Sequence, residues 1–274
     1  MILVENKRTL LFILTAFTFS IVTQLIWIDQ LKFNNKLMIN SNDFSLFSSI
    51  PFHLSSFLAK ILPFTFETIL FYMPAFLSSL LVVPIILVGK KFINLEVGFL
   101  AALITSIVLS YFNYVIVGYY DTEILYIVFS AFLLWSLLWA IHSKKDIYLL
   151  LTAVNILAFR WVYFQGYVLE FVFFGLITFY LLYLVIKNYK VSLNLYEDKN
   201  IAYILQLLTI MILSMVEVEM TLRIMLVFGY FMLFRQIRWH KHLYIMFLMA
   251  MILFFTTGGF DPIWSQLQGY VLKI

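Results

Sequence analysis

Long apolar runs separated by short polar breaks set the pattern of this chain, and the runs predict its elements. Nine of them approach the roughly 20 residues that a bilayer crossing needs, at about 9–28, 66–89, 97–117, 122–141, 147–159, 163–186, 201–217, 220–234 and 243–257. Each is predicted to be a helix, because a lone segment in hydrocarbon must satisfy its own backbone N–H and C=O groups. The predicted fold is therefore all-α: a polytopic membrane protein of about nine transmembrane helices, forming one transmembrane domain over residues 1–274. Two sizeable polar inserts stand at 29–60 and 187–200. Beside the first, PFHLSSFLAKIL, ending at Leu62, spaces its apolar residues as a helix does and is expected to lie along the membrane surface. The first apolar run has no small-residue cleavage site ahead of Trp27-Ile28-Asp29, so it reads as a retained helix.

Composition narrows the class further. The chain is 64% hydrophobic and 12% charged, with a mean hydropathy of +1.00, whereas a soluble domain is about half apolar. A pI near 9.0 would suit a nucleic-acid binder, but the basic residues come in small groups between apolar runs, as cytoplasmic loops do. No nucleic-acid partner is implied. The absence of cysteine excludes disulfides, thiolate metal sites and cysteine nucleophiles. With the N-terminus inside, the inner loops hold Lys7, Arg8, Lys90, Lys91, Lys144, Lys145, Lys187, Lys190, Lys199, Arg235, Arg238 and Lys241. The outer side would hold Lys32, Lys36, Lys60, Arg160, Arg223 and Lys273. That twofold bias predicts an N-in, C-out topology. It also places three distant acidic stretches on the outer face: the 29–65 loop with Asp43, the motif at 118–125, and Asp261.

The motif GYYDTEIL, residues 118–125, opens a long apolar run with two carboxylates, Asp121 and Glu123. A charge at the bilayer centre costs about 2.5–3.5 kcal/mol, so both belong at the interface. One reading is helix capping, with Asp121 accepting backbone N–H bonds and Glu123 facing the positive helix end. The other is a ligand site. Asp43, in MINSNDFS, reads alone as a turn residue. Two or three carboxylates from separate loops on one face are, however, the hard oxygen set that Mg²⁺ or Mn²⁺ takes. Elsewhere, Arg235, Arg238, His240, Lys241 and His242 read as an inner anchor on anionic lipid. Glu217 and Glu219 read as polar residues at a tight hairpin, and RWVYFQGY, residues 160–167, as an aromatic belt. Arg160 reads most simply as a snorkelling cation. Glu170 is the one plausible intramembrane acid, the feature on which a transporter reading would rest.

GYYDTEIL resembles the GYYDTDML-type motif of bacterial single-subunit oligosaccharyltransferases of the PglB type, and the likeness runs along nearly the whole chain. ILPFTFETILFYMPAFLSSLLVVPIILVGKKF and GFLAALITSIVLSYFNY are similar to that family's second and third spans, and LMINSND resembles its LMITTND. RWVYFQGY is similar to WWYPSSY, and GGFDPIWSQLQGYVLK to the segment before the family's large outer loop. The resemblance implies a GT-C-type glycosyltransferase membrane domain in the bacterial inner membrane. It implies transfer of a glycan from a polyprenyl pyrophosphate, a lipid-linked oligosaccharide, to asparagine in Asn-X-Ser/Thr segments of periplasmic proteins. Asp43 and Asp121 would be catalytic carboxylates, and with Glu123 would hold Mg²⁺ or Mn²⁺. Arg160, Tyr163 and Tyr167 would touch the substrate.

Departures from the family pattern accompany the match. Glu123 replaces an aspartate, Tyr114 an arginine, Phe44-Ser45 a Gly-Tyr pair, and Phe164 the proline of WWYPSSY. The family's third carboxylate and its soluble WWDYG domain lie beyond the stretch that matches residues 1–274. Two functions are expected to compete: a transferase half that works with a separately encoded C-terminal partner and is inactive alone, or a non-catalytic relic that binds lipid-linked glycan.

Overall fold

The computed structural model describes residues 2–30, 50–108, 123–162, 167–189, 198–236, 240–261, 264 and 268. Among them the chain forms eleven helices and no strand. They are α1 (Ile2–Gln30), α2 (Ile50–Ile61), α3 (Phe66–Ser79), α4 (Val82–Phe92), α5 (Leu95–Ile107), α6 (Glu123–Ser143), α7 (Asp146–Val162), α8 (Tyr167–Tyr189), α9 (Lys199–Met215), α10 (Met220–Gln236) and α11 (His240–Thr256). This is an all-α membrane protein. Four stretches are long and apolar enough to cross a bilayer: Asn6–Ile26, Phe66–Phe92, Leu125–Ser143 and Val168–Lys187. Leu95–Ile107, Lys199–Met215, Met220–Leu233 and His242–Thr256 are also apolar but shorter. At 1.5 Å per residue a 17-residue helix such as α9 reaches about 25 Å, a little under the roughly 30 Å hydrocarbon core.

The second predicted run is two helices rather than one. Pro84 has no N–H to give the carbonyl of Leu80, four residues back. The chain tightens there instead: the amide of Val83 bonds Leu80 O at 3.1 Å, and those of Leu80 and Leu81 bond Leu77 O and Ser78 O at 3.2 and 3.0 Å. These three-residue bonds separate α3 from α4.

Two compact units divide the chain, Met1–Trp135 and Ser136–Ile274, with the boundary inside α6. In the first, α4 and α5 form a tight hairpin and α1 lies against α3, α4 and α5. Asn94 ends the turn and caps α5, its side chain accepting from the amide of Val97 at 2.7 Å. Ala16, Val82, Ile86, Leu95 and Ala102 make the buried core. Between α1 and α3 a polar seam crosses this apolar packing. Ser79 Oγ donates to Ser20 Oγ at 3.0 Å, and Ser78 Oγ to Gln24 Oε1 at 3.1 Å. Such side chains hold helices together where burial of apolar surface gives no drive, because lipid is as apolar as leucine.

The second unit is built around α9, which packs against α7, α8, α10 and α11. Every residue from Ile201 to Met215 is buried, the condition of a helix apolar on all sides with protein all round it. Asp198 starts it, accepting from the amide of Asn200 at 2.6 Å. Near that end, the Tyr203 hydroxyl donates to the Lys145 carbonyl at 2.9 Å, and the Lys144 ammonium donates to the Asn200 side chain. By contrast α8 turns Val172, Leu176, Phe179, Tyr183 and Ile186 outward at helical spacing, a stripe suited to lipid. The last helix closes on glycine: Gly258, at φ +76°, donates to Phe255 O, and Gly259 to Phe254 O.

Candidate functional site

Of the residues expected to carry chemistry, Glu123 opens α6 and Tyr167 opens α8. Asp43, Asp121 and Tyr163 lie outside the described residues. Among the described residues no three histidine, aspartate or glutamate side chains gather as a metal would require.

Arg160 is placed well enough to be read atom by atom. It sits in the last turn of α7, and Glu170 in the first turn of α8. Its Nε donates to Glu170 Oε2 at 2.6 Å, while its Nη1 donates to Glu217 Oε1 at 2.7 Å and to the carbonyl of Met215 at 2.9 Å. Met215 is the last residue of α9, so Arg160 also satisfies one of the carbonyls a helix end leaves open. Arg223, in the first turn of α10, completes the group. Its Nη2 donates to Val218 O at 3.1 Å and stands 3.9 Å from Glu217 Oε2. Two arginines and two glutamates thus alternate across the facing ends of four helices, with no net charge.

Burial decides how much this group matters. Glu170 is fully buried, and Arg160 and Arg223 are each 8% exposed. An isolated charge in such a place costs several kcal/mol, and pairing with good geometry is what offsets it. The simple reading of Arg160 as a snorkelling side chain is therefore corrected: its charge points into protein. Glu217 is likewise more than a hairpin residue, and Glu170 is an ion-pair partner. Three polar atoms of the group, Arg160 Nη2, Glu170 Oε1 and Arg223 Nε, have no hydrogen-bond partner among the described residues.

Sequence reasoning missed the group because Arg160 and its partner Glu217 are 57 residues apart and each member alone has an ordinary explanation. The usable signal was the rule that a charge within an apolar helix has a partner. Two basic and two acidic residues flank the helix ends of this unit.

Beside this group an aromatic cluster joins α8 to the end of α11. Phe171, next to Glu170, has its ring 5.9 Å from that of Phe254 and 6.4 Å from that of Phe260.

The N-terminal model of the oligosaccharyl transferase STT3 family matches residues 7–272. The chain belongs to this family. Undecaprenyl-diphosphooligosaccharide–protein glycotransferase of Campylobacter jejuni strain RM1221 is 32% identical to it over 298 residues, covering 98% of this chain and 40% of the relative. The same enzyme from C. jejuni subsp. jejuni serotype O:2, strain NCTC 11168, is 31% identical with the same coverage. This STT3-family chain thus spans 40% of the length of each relative. The family assignment agrees with the resemblance of GYYDTEIL and its companion motifs, and the identity extends well beyond those short stretches.

Proposed function

We propose that residues 1–274 form the membrane part of an enzyme that transfers a glycan from a polyprenyl pyrophosphate to asparagine in Asn-X-Ser/Thr segments. The observation that carries this reading is the family match along 7–272, a stretch that includes the DTE triplet at 121–123. The name of the C. jejuni enzymes states their donor and their acceptor class. The reading brings that chemistry to this chain.

In this reading the protein lies in the bacterial inner membrane, crossing it about nine times, with the N-terminus cytoplasmic and the C-terminus periplasmic. Lys7, Arg8, Lys90 and Lys91 fall at one end of the first unit, where Arg8 meets Glu96 at 2.6 Å and Lys90 meets Thr9 at 2.9 Å. That end is the cytoplasmic one by the positive-inside rule. The acidic stretches, with Arg160, Tyr163 and Tyr167, then share the periplasmic face.

Asp43, Asp121 and Glu123 supply oxygen donors only, the chemistry that suits Mg²⁺ or Mn²⁺. A bound divalent cation supplies a Lewis acid for the pyrophosphate leaving group. The protein's own contribution is to the nucleophile. A carboxamide nitrogen is weak because its lone pair is delocalised, and the Asp43 carboxylate accepts its N–H bonds and holds it out of full conjugation. The new bond joins that nitrogen to the anomeric carbon as the bond to the pyrophosphate oxygen breaks on the opposite side, inverting the centre. The proton leaves to a carboxylate. Tyr163 and Tyr167 are the substrate contacts in this reading.

Mn²⁺ titration of the purified membrane protein, read by electron paramagnetic resonance, tests the site. One bound ion is expected, with affinity lowered at least tenfold in Asp121→Asn and in Asp43→Asn. Binding unaltered in both variants would remove these residues from the site.

A further inference from the structure

Arg160 was expected to touch the substrate, yet its geometry points elsewhere. Three of its five N–H groups are held by Glu170, Glu217 and the Met215 carbonyl, and two glutamates around one guanidinium leave little charge for an anionic ligand. The same contacts tie together four helix ends: the last turn of α7, the first turn of α8, the last residue of α9 and the turn into α10. We infer that Arg160 is a positioning residue, whose ion pair with Glu170 fixes the spacing between the ends of α7 and α8 and locks both to the α9–α10 turn. Tyr167, the first residue of α8, is set in place by this lock. The inference rests on the reading of the chain as the donor-binding part of a transferase.

The fork geometry supports it. In a guanidinium, Nε–H and one Nη2–H point to the same side and together fit a carboxylate. Glu170 engages Nε through Oε2, while Arg160 Nη2 and Glu170 Oε1 are buried and have no hydrogen-bond partner among the described residues. The pair is held by the 2.6 Å Nε–Oε2 bond without any ligand. Charge balance gives the test its logic. Removing Arg160 alone strands Glu170, and removing Glu170 alone strands part of Arg160. Removing both charges leaves the Glu217–Arg223 pair balanced and two amides that can bond each other.

The experiment uses full-length chain in lipid nanodiscs, with an undecaprenyl-pyrophosphate-linked oligosaccharide as probe. Arg160→Gln and Glu170→Gln are each expected to weaken probe binding about tenfold, and the double variant to return within about threefold of the unaltered chain, the non-additivity of a coupled pair. Equal weakness in Arg160→Gln and the double variant, with Glu170→Gln binding normally, would overturn the inference and make Arg160 a ligand contact. A second readout does not depend on the probe. The chain has no cysteine, so spin labels on Trp161→Cys and Leu222→Cys, both exposed, report the spacing of α7 and α10. The distance distribution is expected to broaden in each single variant and narrow again in the double. If the unaltered chain binds no probe, the functional reading fails, and the label distances alone judge the lock: a distribution unchanged by either single variant would overturn it.

Discussion

The backbone of Gly98 stands where a side chain on Gly89 would begin. A Cβ built on Gly89 would lie 2.3 Å from Gly98 Cα, and one on Gly98 would lie 2.7 Å from the carbonyl oxygen of Ile86. The α4–α5 hairpin closes so tightly because neither helix carries a side chain at the crossing, the way small residues let membrane helices meet. The obstacle is backbone, which cannot rotate aside. Gly89→Ala is expected to lower stability by about 1–3 kcal/mol, as overpacking does, and to reduce the melting temperature in detergent. Gly175→Ala on α8, where a Cβ meets nothing within 4 Å, is expected to be neutral or to stabilise by up to about 1 kcal/mol.

Two ion pairs of equal length are expected to differ sharply in worth. Arg8–Glu96 and Arg160–Glu170 both measure 2.6 Å, but the side chains are 58% and 51% exposed in the first pair, and 6% and 0% in the second. Arg8→Ala is expected to change unfolding by less than about 1 kcal/mol. Arg160→Ala leaves a buried carboxylate without its cation and is expected to cost about 3–5 kcal/mol. Denaturant titration in mixed micelles measures both, and equal losses would contradict the burial argument.

The polar seam between α1 and α3 gives a milder expectation. Gln24→Leu removes the acceptor of Ser78 and a donor to Ser20. Interhelical bonds of this type are worth about 0.6–1.7 kcal/mol in membranes, and Ser78 and Ser79 keep their bonds to the Ala75 carbonyl. A loss within that range is expected in the same titration. A gain in stability would show that leucine packs better there than the seam bonds.

Topology is tested by reporter fusions after Lys145 and after Ile274. The first is expected to report cytoplasm and the second periplasm, since Lys144 and Lys145 lie in the α6–α7 turn and basic loops are retained in the cytoplasm. The same location for both would overturn the crossing count and the shared face of the acidic stretches.

Helix positions were legible in the sequence because an apolar run in a membrane protein has few other options. PFHLSSFLAKIL became α2, and the run from 122 became α6. The break between α3 and α4 was not read, although Pro84 was in plain view, because hydropathy registers side chains and not a missing N–H. Nor could the pattern separate α8 from α9. Both are apolar, yet one faces outward and the other is enclosed by four helices, and a leucine facing lipid looks the same in sequence as one facing protein. The Arg160 group needed three dimensions, since only the fold brings residues 160, 170, 217 and 223 to one place. Asp43 and Asp121 are carried by motif and family alone.

Glycan transfer tests the central claim most directly. The chain spans 40% of its relatives' length, and positioning of both substrates can supply about 7–11 kcal/mol of a barrier. Residues 1–274 on their own are therefore expected to transfer nothing to an Asn-X-Ser/Thr peptide, even with lipid-linked donor and Mg²⁺ or Mn²⁺. Co-expressed with the remaining C-terminal portion of a C. jejuni relative, they are expected to glycosylate the peptide, and Asp121→Ala is expected to abolish that product. Silence with the C-terminal portion supplied, or transfer that survives Asp121→Ala, would contradict the account.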